Sequence, residues 1–330
     1  MKVFANRVLP EKVFQKLQDD GIIITEWLGH RELTTDEFIT YAKDADGIML
    51  MAGMKVTADI LQQCESLKVI SLHSVGYDNV DVEAATKLGI AIGHTPDVLS
   101  KATADAAFLL MLATSRKAFF HHKRALKGEW KSYGPIDDLL GIDIEGKTLG
   151  IFGLGSIGFE MAKRSKNAFG MNVIYHNRST NEKAEKELGA KKVSFDELLS
   201  QSDIISVHAN LTPETKEIFN TPAFAKMKPN AIFVNVARGG IHNETDLKAA
   251  LDNKTIWGAG LDVTNPEPMD IDNPLLNMPN VSVLPHIGSA VKETREAMMQ
   301  LVVANLFAGL KGEKLPKCVN PEVYNESNKS

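Results

Sequence analysis

The stretch Leu149-Gly150-Ile151-Phe152-Gly153-Leu154-Gly155-Ser156-Ile157-Gly158 decides how this chain is read. An apolar run ends at Phe152, glycines follow at 153, 155 and 158, and a helical pattern covers Phe159–Phe169. Strand, G-x-G-x-x-G loop and helix in that order suit a dinucleotide pyrophosphate. Gly153 permits the tight turn, Gly155 lets the pyrophosphate approach the backbone, and Gly158 lets the helix pack on the strand. Amide N–H groups and the helix dipole then face the phosphates. The strand before the loop and the helix after it argue against an incidental glycine-rich turn.

The end of the next strand bears on the cofactor. An NAD site carries Asp or Glu there, on the ribose hydroxyls. This chain reads Ile174-Tyr175-His176-Asn177-Arg178-Ser179-Thr180, with Asn177 at the acidic position, 19 residues after Gly158. Asn does not repel a 2′-phosphate, Arg178 can pair with one, and Ser179 or Thr180 can donate to it. NADP is therefore the expected cofactor, with NAD as the second. The alternative reading makes Arg178 a solvated loop charge and selectivity loose.

Working outward, short apolar runs alternate with amphipathic stretches. Expected strands are Lys2–Ala5, Ile22–Trp27, Gly47–Met51 and Leu67–Leu72, then Thr148–Phe152, Asn172–His176, Ile204–Val207, Ala231–Asn235, Trp257–Leu261 and Val281–Leu284. Helical patterns cover Glu11–Gln18, Thr35–Ala42 and Thr57–Gln63, a long one covers Ser100–Lys127, and a last one covers Val291–Leu310. Near-continuous apolar strands separated by helices imply parallel sheets covered on both faces. The fold class expected is α/β, with two doubly wound Rossmann-like domains. The first is discontinuous and flavodoxin-like, residues 1–99 and 290–330, and is the substrate domain. The cofactor domain, 100–289, is inserted in it. The tail Asn325–Ser330 reads as disordered.

Composition excludes more than it selects. Lys and Arg number 37 against 42 Asp and Glu, a net charge of −5, which gives no footprint for nucleic acid or an anionic membrane. Hydrophobic residues at 44% and charged residues at 24% predict a packed core. The two cysteines, Cys64 and Cys318, make neither a disulfide framework nor a metal cluster, so no metal is expected. The opening Met-Lys-Val-Phe-Ala-Asn lacks a signal-peptide core, and the longest apolar run, Ala106–Ala113, is far short of the roughly 20 residues that span a bilayer. A cytoplasmic location is expected.

Three further strand ends carry chemistry: Arg238 after Phe233-Val234-Asn235-Val236-Ala237, Glu267 in Gly260-Leu261-Asp262-Val263-Thr264-Asn265-Pro266-Glu267-Pro268, and His286 in Leu284-Pro285-His286-Ile287-Gly288-Ser289. The carboxyl ends of parallel strands form the ligand crevice. Reducing a 2-keto acid needs a hydride on the carbonyl carbon and a proton on its oxygen. His286 can donate the proton, Glu267 can fix its tautomer, and Arg238 can hold the carboxylate and polarise the carbonyl. Singly each has a bland reading as a strand cap, a loop charge or a buried histidine; together with the glycine loop they point to one site. His121 and His122 are adjacent on a helix and point about 100° apart, so they do not chelate one metal. His30, His94, His208 and His242 show no partner pattern.

The chain resembles the D-isomer-specific 2-hydroxyacid dehydrogenases over nearly its whole length. The resemblance rests on His73-Ser74-Val75-Gly76-Tyr77-Asp78-Asn79-Val80-Asp81, His94-Thr95-Pro96-Asp97-Val98-Leu99, the Gly153 loop, Leu211-Thr212-Pro213-Glu214-Thr215 and the Arg238, Glu267 and His286 segments. Within the family it is most similar to glyoxylate/hydroxypyruvate reductases. The resemblance implies that Val75 and Gly76 bind the substrate carboxylate through backbone N–H groups. It implies that Ser156 and Ile157 cradle pyrophosphate and that Asp262 contacts the nicotinamide amide. Val236, Ala237 and Gly288 would line the nicotinamide pocket, and Asn210 the adenosine side. It also implies a homodimer through the cofactor domain and a small 2-keto acid substrate, reduced to a D-2-hydroxy acid. Asp105 stands where the family usually has Glu, and Ala209-Asn210 replaces a commoner pair. The acidic Gly134–Asp138 stretch suggests a longer, sugar-derived keto acid of the 2-ketogluconate type as an alternative. A nucleotide-sensing corepressor or scaffold, and formate or phosphite oxidation, are the remaining alternatives on this fold.

Overall fold

The computed structural model describes residues 1–51, 53–130 and 139–325. Of the expected disordered tail only Asn325 is among them. Contacts divide the chain into two compact units: Met1–Leu99 with the chain from Val291 onward, and Ser100–Ala290.

The first unit holds β1 (Lys2–Ala5), α1 (Glu11–Asp19), β2 (Ile23–Glu26), α2 (Thr35–Ala42), β3 (Gly47–Leu50), α3 (Ala58–Gln62), β4 (Val69–Leu72), α4 (Val82–Lys87) and β5 (Ala91–Gly93). Its strands are parallel in the order β2-β1-β3-β4-β5, the flavodoxin-like order. Alternate side chains enter two cores. Phe4, Ile48, Leu50, Ile70, Leu72 and Ile92 face one, and Val3, Ala5, Met49, Val69 and Ala91 face the other. Burying each of these side chains other than the alanines is worth roughly 1.5–3 kcal/mol against leaving it in water. Strand β5 has no counterpart in the sequence reading: three residues are too few to show a pattern.

The second unit holds α5 (Ser100–Ser115), α6 (Ala118–Leu126), β6 (Thr148–Phe152), α7 (Ser156–Phe169), β7 (Asn172–His176), α8 (Glu182–Leu188), β8 (Lys191–Lys192), α9 (Phe195–Gln201), β9 (Ile204–Val207), α10 (Thr221–Lys226), β10 (Ile232–Asn235), α11 (Glu244–Asp252), β11 (Gly258–Leu261) and β12 (Val281–Val283). The sheet runs β12-β11-β10-β9-β6-β7-β8, all parallel. Counted from β6 this is the dinucleotide-binding order 3-2-1-4-5-6 with a seventh strand added, and the order reverses between β6 and β9.

The long helix expected over Ser100–Lys127 is two helices. Lys117 adopts φ 52° between them, and the Ser115 carbonyl accepts the Ile142 N–H at 2.8 Å. That carbonyl is thereby satisfied by a returning strand of chain rather than by the next helical turn. Asp105 on α5 is reached by Arg164 on α7 (Nε to Oδ1, 2.5 Å), and the same guanidinium holds Glu160 at 2.6 Å. The glycine-loop helix is thus tied to its neighbour by the shorter acid.

Helix α12 (Lys292–Leu310) belongs to the first unit. Ser71 Oγ donates to the Val302 carbonyl at 2.8 Å, and Gly309 lies so close to Val69 that a Cβ there would overlap it. Beyond the helix, the fully buried Asn320 accepts from Ile92 N at 2.8 Å and donates to Thr86 Oγ1 and the Ile90 carbonyl at 2.9 and 3.0 Å. Replacing Asn320 with Ala strands two buried backbone groups. We expect a loss of about 2–6 kcal/mol in urea unfolding, each unpaired group costing roughly 1–3 kcal/mol. An unchanged midpoint would show that this side chain does not secure the C-terminal segment.

Candidate active site

The glycine loop has the geometry the sequence implies. Gly153 adopts φ +95° and passes so close to Ala209 and His208, after β9, that a Cβ would lie 2.8 Å from the His208 carbonyl carbon. The loop therefore abuts the point where strand order reverses. Gly155 starts α7 with no side-chain cap, and a Cβ there would meet nothing within 4 Å. A Cβ at Gly158 would lie 2.7 Å from the Gly153 carbonyl oxygen. Gly155 and Ser156 are exposed and Ile157 half-buried. An uncapped helix N-terminus, open at the one glycine meant for phosphate, fits a pyrophosphate.

Asn177 does more than tolerate phosphate. Its Oδ1 accepts the Leu154 N–H at 2.6 Å and its Nδ2 donates to the Leu154 carbonyl at 3.3 Å, joined there by Asn181 Nδ2 at 2.9 Å. The carboxamide pairs with both the N–H and the C=O of one loop residue, which a carboxylate cannot. Arg178 and Ser179 follow it, exposed. Asn210, also exposed, accepts Thr215 Oγ1 on its carbonyl at 2.7 Å.

At the other end of the sheet three strand ends are stitched together. Asp262 N donates to the Asn235 carbonyl at 2.9 Å, Leu284 N to Leu261 at 2.8 Å, and His286 N to Asp262 at 2.8 Å. The Asp262 side chain is buried. Its two oxygens accept the N–H groups of Ile287 and Gly288, each at 2.8 Å, while burial pushes its carboxyl above the ordinary range. A Cβ at Gly288 would sit 2.9 Å from Asp262 Oδ2, so only glycine leaves room for that bond. The pin fixes the turn on which His286 adopts φ 52°. His286 Nδ1 meets Glu267 Oε1 at 2.5 Å, and both side chains are well exposed. With Nδ1 committed to Glu267, Nε2 is the nitrogen left to exchange a proton.

Arg238 follows the buried Val236 and half-buried Ala237, and its Nη1 donates to the Ala237 carbonyl at 2.8 Å. Its own carbonyl accepts Asn235 Nδ2 at 2.9 Å, and Asn235 Oδ1 accepts Ala237 N at 3.0 Å. Behind Asn235 lies His242, fully buried, with Nδ1 3.0 Å from Asn235 Nδ2. Asn235 and His242 brace the arginine turn, and sequence reading found neither in that role. A buried Asn one residue before a site segment is the signal that was there to use.

Val75 and Gly76 lie in the first unit. The carbonyls of Ser74, Val75 and Gly76 accept Thr95 N at 2.8 Å, His94 Nδ1 at 3.0 Å and Ser74 Oγ at 2.6 Å. His94, which shows no partner in the sequence, thus secures this loop, with its ring edge-on to Tyr77. The Gly134–Asp138 stretch lies outside the described residues.

A Rossmann sheet with a pyrophosphate loop at its switch point and an acid–histidine pair at its far strand ends defines a dinucleotide-dependent oxidoreductase. Comparison with known proteins agrees. Residues 108–288 match the family described as D-isomer specific 2-hydroxyacid dehydrogenase, NAD binding domain. The chain is 40% identical over 325 residues to a glyoxylate reductase of Pyrococcus furiosus, covering 98% of this chain and 96% of that one. It is 41% identical over 317 residues to glyoxylate/hydroxypyruvate reductase B of Salmonella paratyphi A, covering 96% and 97%. The crystal structure of an NADPH-dependent glyoxylate/hydroxypyruvate reductase from Sinorhizobium meliloti, in complex with NADP and malonate, superposes with a TM-score of 0.83 at 32% identity, covering 98% and 97%. The chain belongs to the D-isomer specific 2-hydroxyacid dehydrogenase family. It is an NAD(P)-dependent oxidoreductase acting on the CH–OH group of 2-hydroxy acids.

Burial pushes the His242 imidazole down to about 4. In the unfolded chain it titrates near 6.5. Between these values the unfolded chain takes a proton that the folded chain refuses, so stability falls as pH drops through that window. From about 6.5 to about 4 this one group should cost on the order of 3 kcal/mol. Urea unfolding of the wild type and His242→Gln across that range should converge at low pH. A constant difference between the two would refute the assignment.

Proposed function

We propose that this protein is an NADPH-preferring reductase of small 2-keto acids of the glyoxylate or hydroxypyruvate type, forming D-2-hydroxy acids. The observation that carries the reading is the 2.5 Å bond between His286 Nδ1 and Glu267. A carboxylate on that nitrogen fixes the ring and its tautomer, which leaves Nε2 to deliver a proton to the carbonyl oxygen. Reduced nicotinamide, when bound, supplies the hydride. Arg238 binds the substrate carboxylate and polarises the carbonyl. The names of the relatives from Pyrococcus furiosus and Salmonella paratyphi A support the substrate class. Asn177 at the ribose position, Arg178 beside it and the NADP-bound Sinorhizobium meliloti structure support the cofactor.

Ser156 and Ile157 at the uncapped end of α7 would hold pyrophosphate, while Val236, Ala237 and Gly288 would line the nicotinamide pocket, with Asp262 fixing the turn beside it. Two unpaired thiols, Cys64 and Cys318, suit a reducing cytoplasm.

Initial rates with a panel of 2-keto acids and both cofactors test the reading. Turnover is expected with glyoxylate or hydroxypyruvate, faster with NADPH. Turnover only with longer sugar-derived acids would favour the 2-ketogluconate alternative, and none at all would favour a scaffold. His286→Asn should lower kcat by a factor of roughly 100 or more while NADP still binds, general acid catalysis contributing about 100–10,000-fold. A near-wild-type rate would sink the proton-donor role.

We further propose a homodimer through the cofactor unit, supported by the exposed Leu109, Leu126, Trp130 and Leu140 in that unit. Sedimentation equilibrium should give twice the protomer mass; a monomer at micromolar concentration would overturn this.

A further inference from the structure

The NADPH reading rests so far on one cation. Arg178 is exposed, and the Glu214 carboxyl is lowered chiefly by the hydrogen bond from Thr212 Oγ1 at 2.7 Å and in smaller part by the Arg178 charge. A 2′-phosphate carries a charge near −2 and three acceptor oxygens. One guanidinium, with the Glu214 carboxylate in its field, offers that phosphate little net positive charge.

A second cation comes from a different strand. The two-residue strand β8 pairs with β7 so that Lys192 lies opposite Tyr175. The backbone beyond it is fixed: Val193 N donates to the Tyr175 carbonyl at 2.9 Å, and His176 Nδ1 meets the Val193 carbonyl at 3.1 Å. From this anchored position Lys192 Nζ reaches across and donates to the Arg178 carbonyl at 3.1 Å. The ammonium is thus lodged at the turn that carries Arg178, Ser179 and Thr180. One of its three N–H donors is used by the carbonyl, and the others are available to a ligand. With Lys192 counted, two cations and Glu214 leave the turn net positive.

We infer that Lys192 is a second cation for the ribose 2′-phosphate, and so a residue that sets the choice of NADP over NAD. The inference rests on the NADPH reading of the same site. Lys192 is separated from Arg178 by helix α8 and is brought back to that turn by the β7–β8 ladder. Its role is selective because NAD has a hydroxyl where NADP has the phosphate. A point charge on a flexible stem tolerates the approach of either ligand but is attracted to only one.

Calorimetric titration of the full-length protein with NADP+ and with NAD+ reads this without turnover. The two ligands differ only in the 2′-phosphate. Lys192→Gln should weaken NADP+ binding roughly tenfold and leave NAD+ within about twofold, as loss of one charge-assisted bond to phosphate predicts. Its NADP+ affinity should also depend less steeply on salt than that of the wild type. Lys192→Arg should restore most of the loss. Arg178→Ala is the reference, expected to weaken NADP+ selectively as well. Equal weakening of both ligands by Lys192→Gln would mean that the lysine only caps the Arg178 carbonyl, and unchanged NADP+ binding would mean that it does nothing for the phosphate. Either result overturns the inference. If NADP+ selectivity survives in Lys192→Gln but is lost in Arg178→Ala, the NADPH reading stands and the role of Lys192 falls. If the wild type itself binds NAD+ as tightly as NADP+, the NADPH reading fails first.

Discussion

Every strand of the seven-stranded sheet runs the same way, so every loop that leaves a strand leaves it on one edge. The site in this unit follows from that constraint. Along the carboxyl edge, from β12 to β8, lie His286, the Asp262–Glu267 segment, Arg238, the Ala209–Asn210 turn, the Gly153 loop, the Asn177–Arg178 turn and Lys192. Residues far apart in sequence, Gly153 and Ala209 among them, become neighbours because their strands are in register. The two ends of this line differ in chemistry. One holds a histidine, a carboxylate and an arginine suited to proton transfer and carboxylate binding; the other holds cations suited to phosphate.

The loops themselves are irregular, and irregular backbone must satisfy its N–H and C=O groups without a ladder. Here buried or half-buried polar side chains serve that need. Asp262 takes two N–H groups of the His286 turn, Asn235 takes both kinds of group from the Arg238 turn, and Asn177 takes both from the glycine loop. Each side chain stands at or directly after the end of a strand, where its backbone is already fixed. In the first unit His94 and Ser74 do the same for the Val75–Gly76 loop.

Much of the fold is legible in the sequence because strands covered on both faces are almost uniformly apolar. Phe233-Val234 and Ile204-Ile205, fully or almost fully buried in the structure, allow no other reading. Reading fails where a pattern is too short or a break is local. Three residues of β5 and two of β8 carry no period, and nothing in Ser115-Arg116-Lys117 announces that the Ser115 carbonyl will be taken by Ile142.

By itself the sequence determined the α/β class, the glycine loop and the Arg238, Glu267 and His286 segments, because each is a local pattern with a local physical cause: a residue without a Cβ, or a charged group just past an apolar run. Only the tertiary structure decided which side chains hold those segments in place. Asn177 on Leu154 and Lys192 at the Arg178 turn are bonds between elements that the chain separates and the parallel ladder reunites. No spacing in the sequence encodes them, because the distance that matters is the one across the sheet.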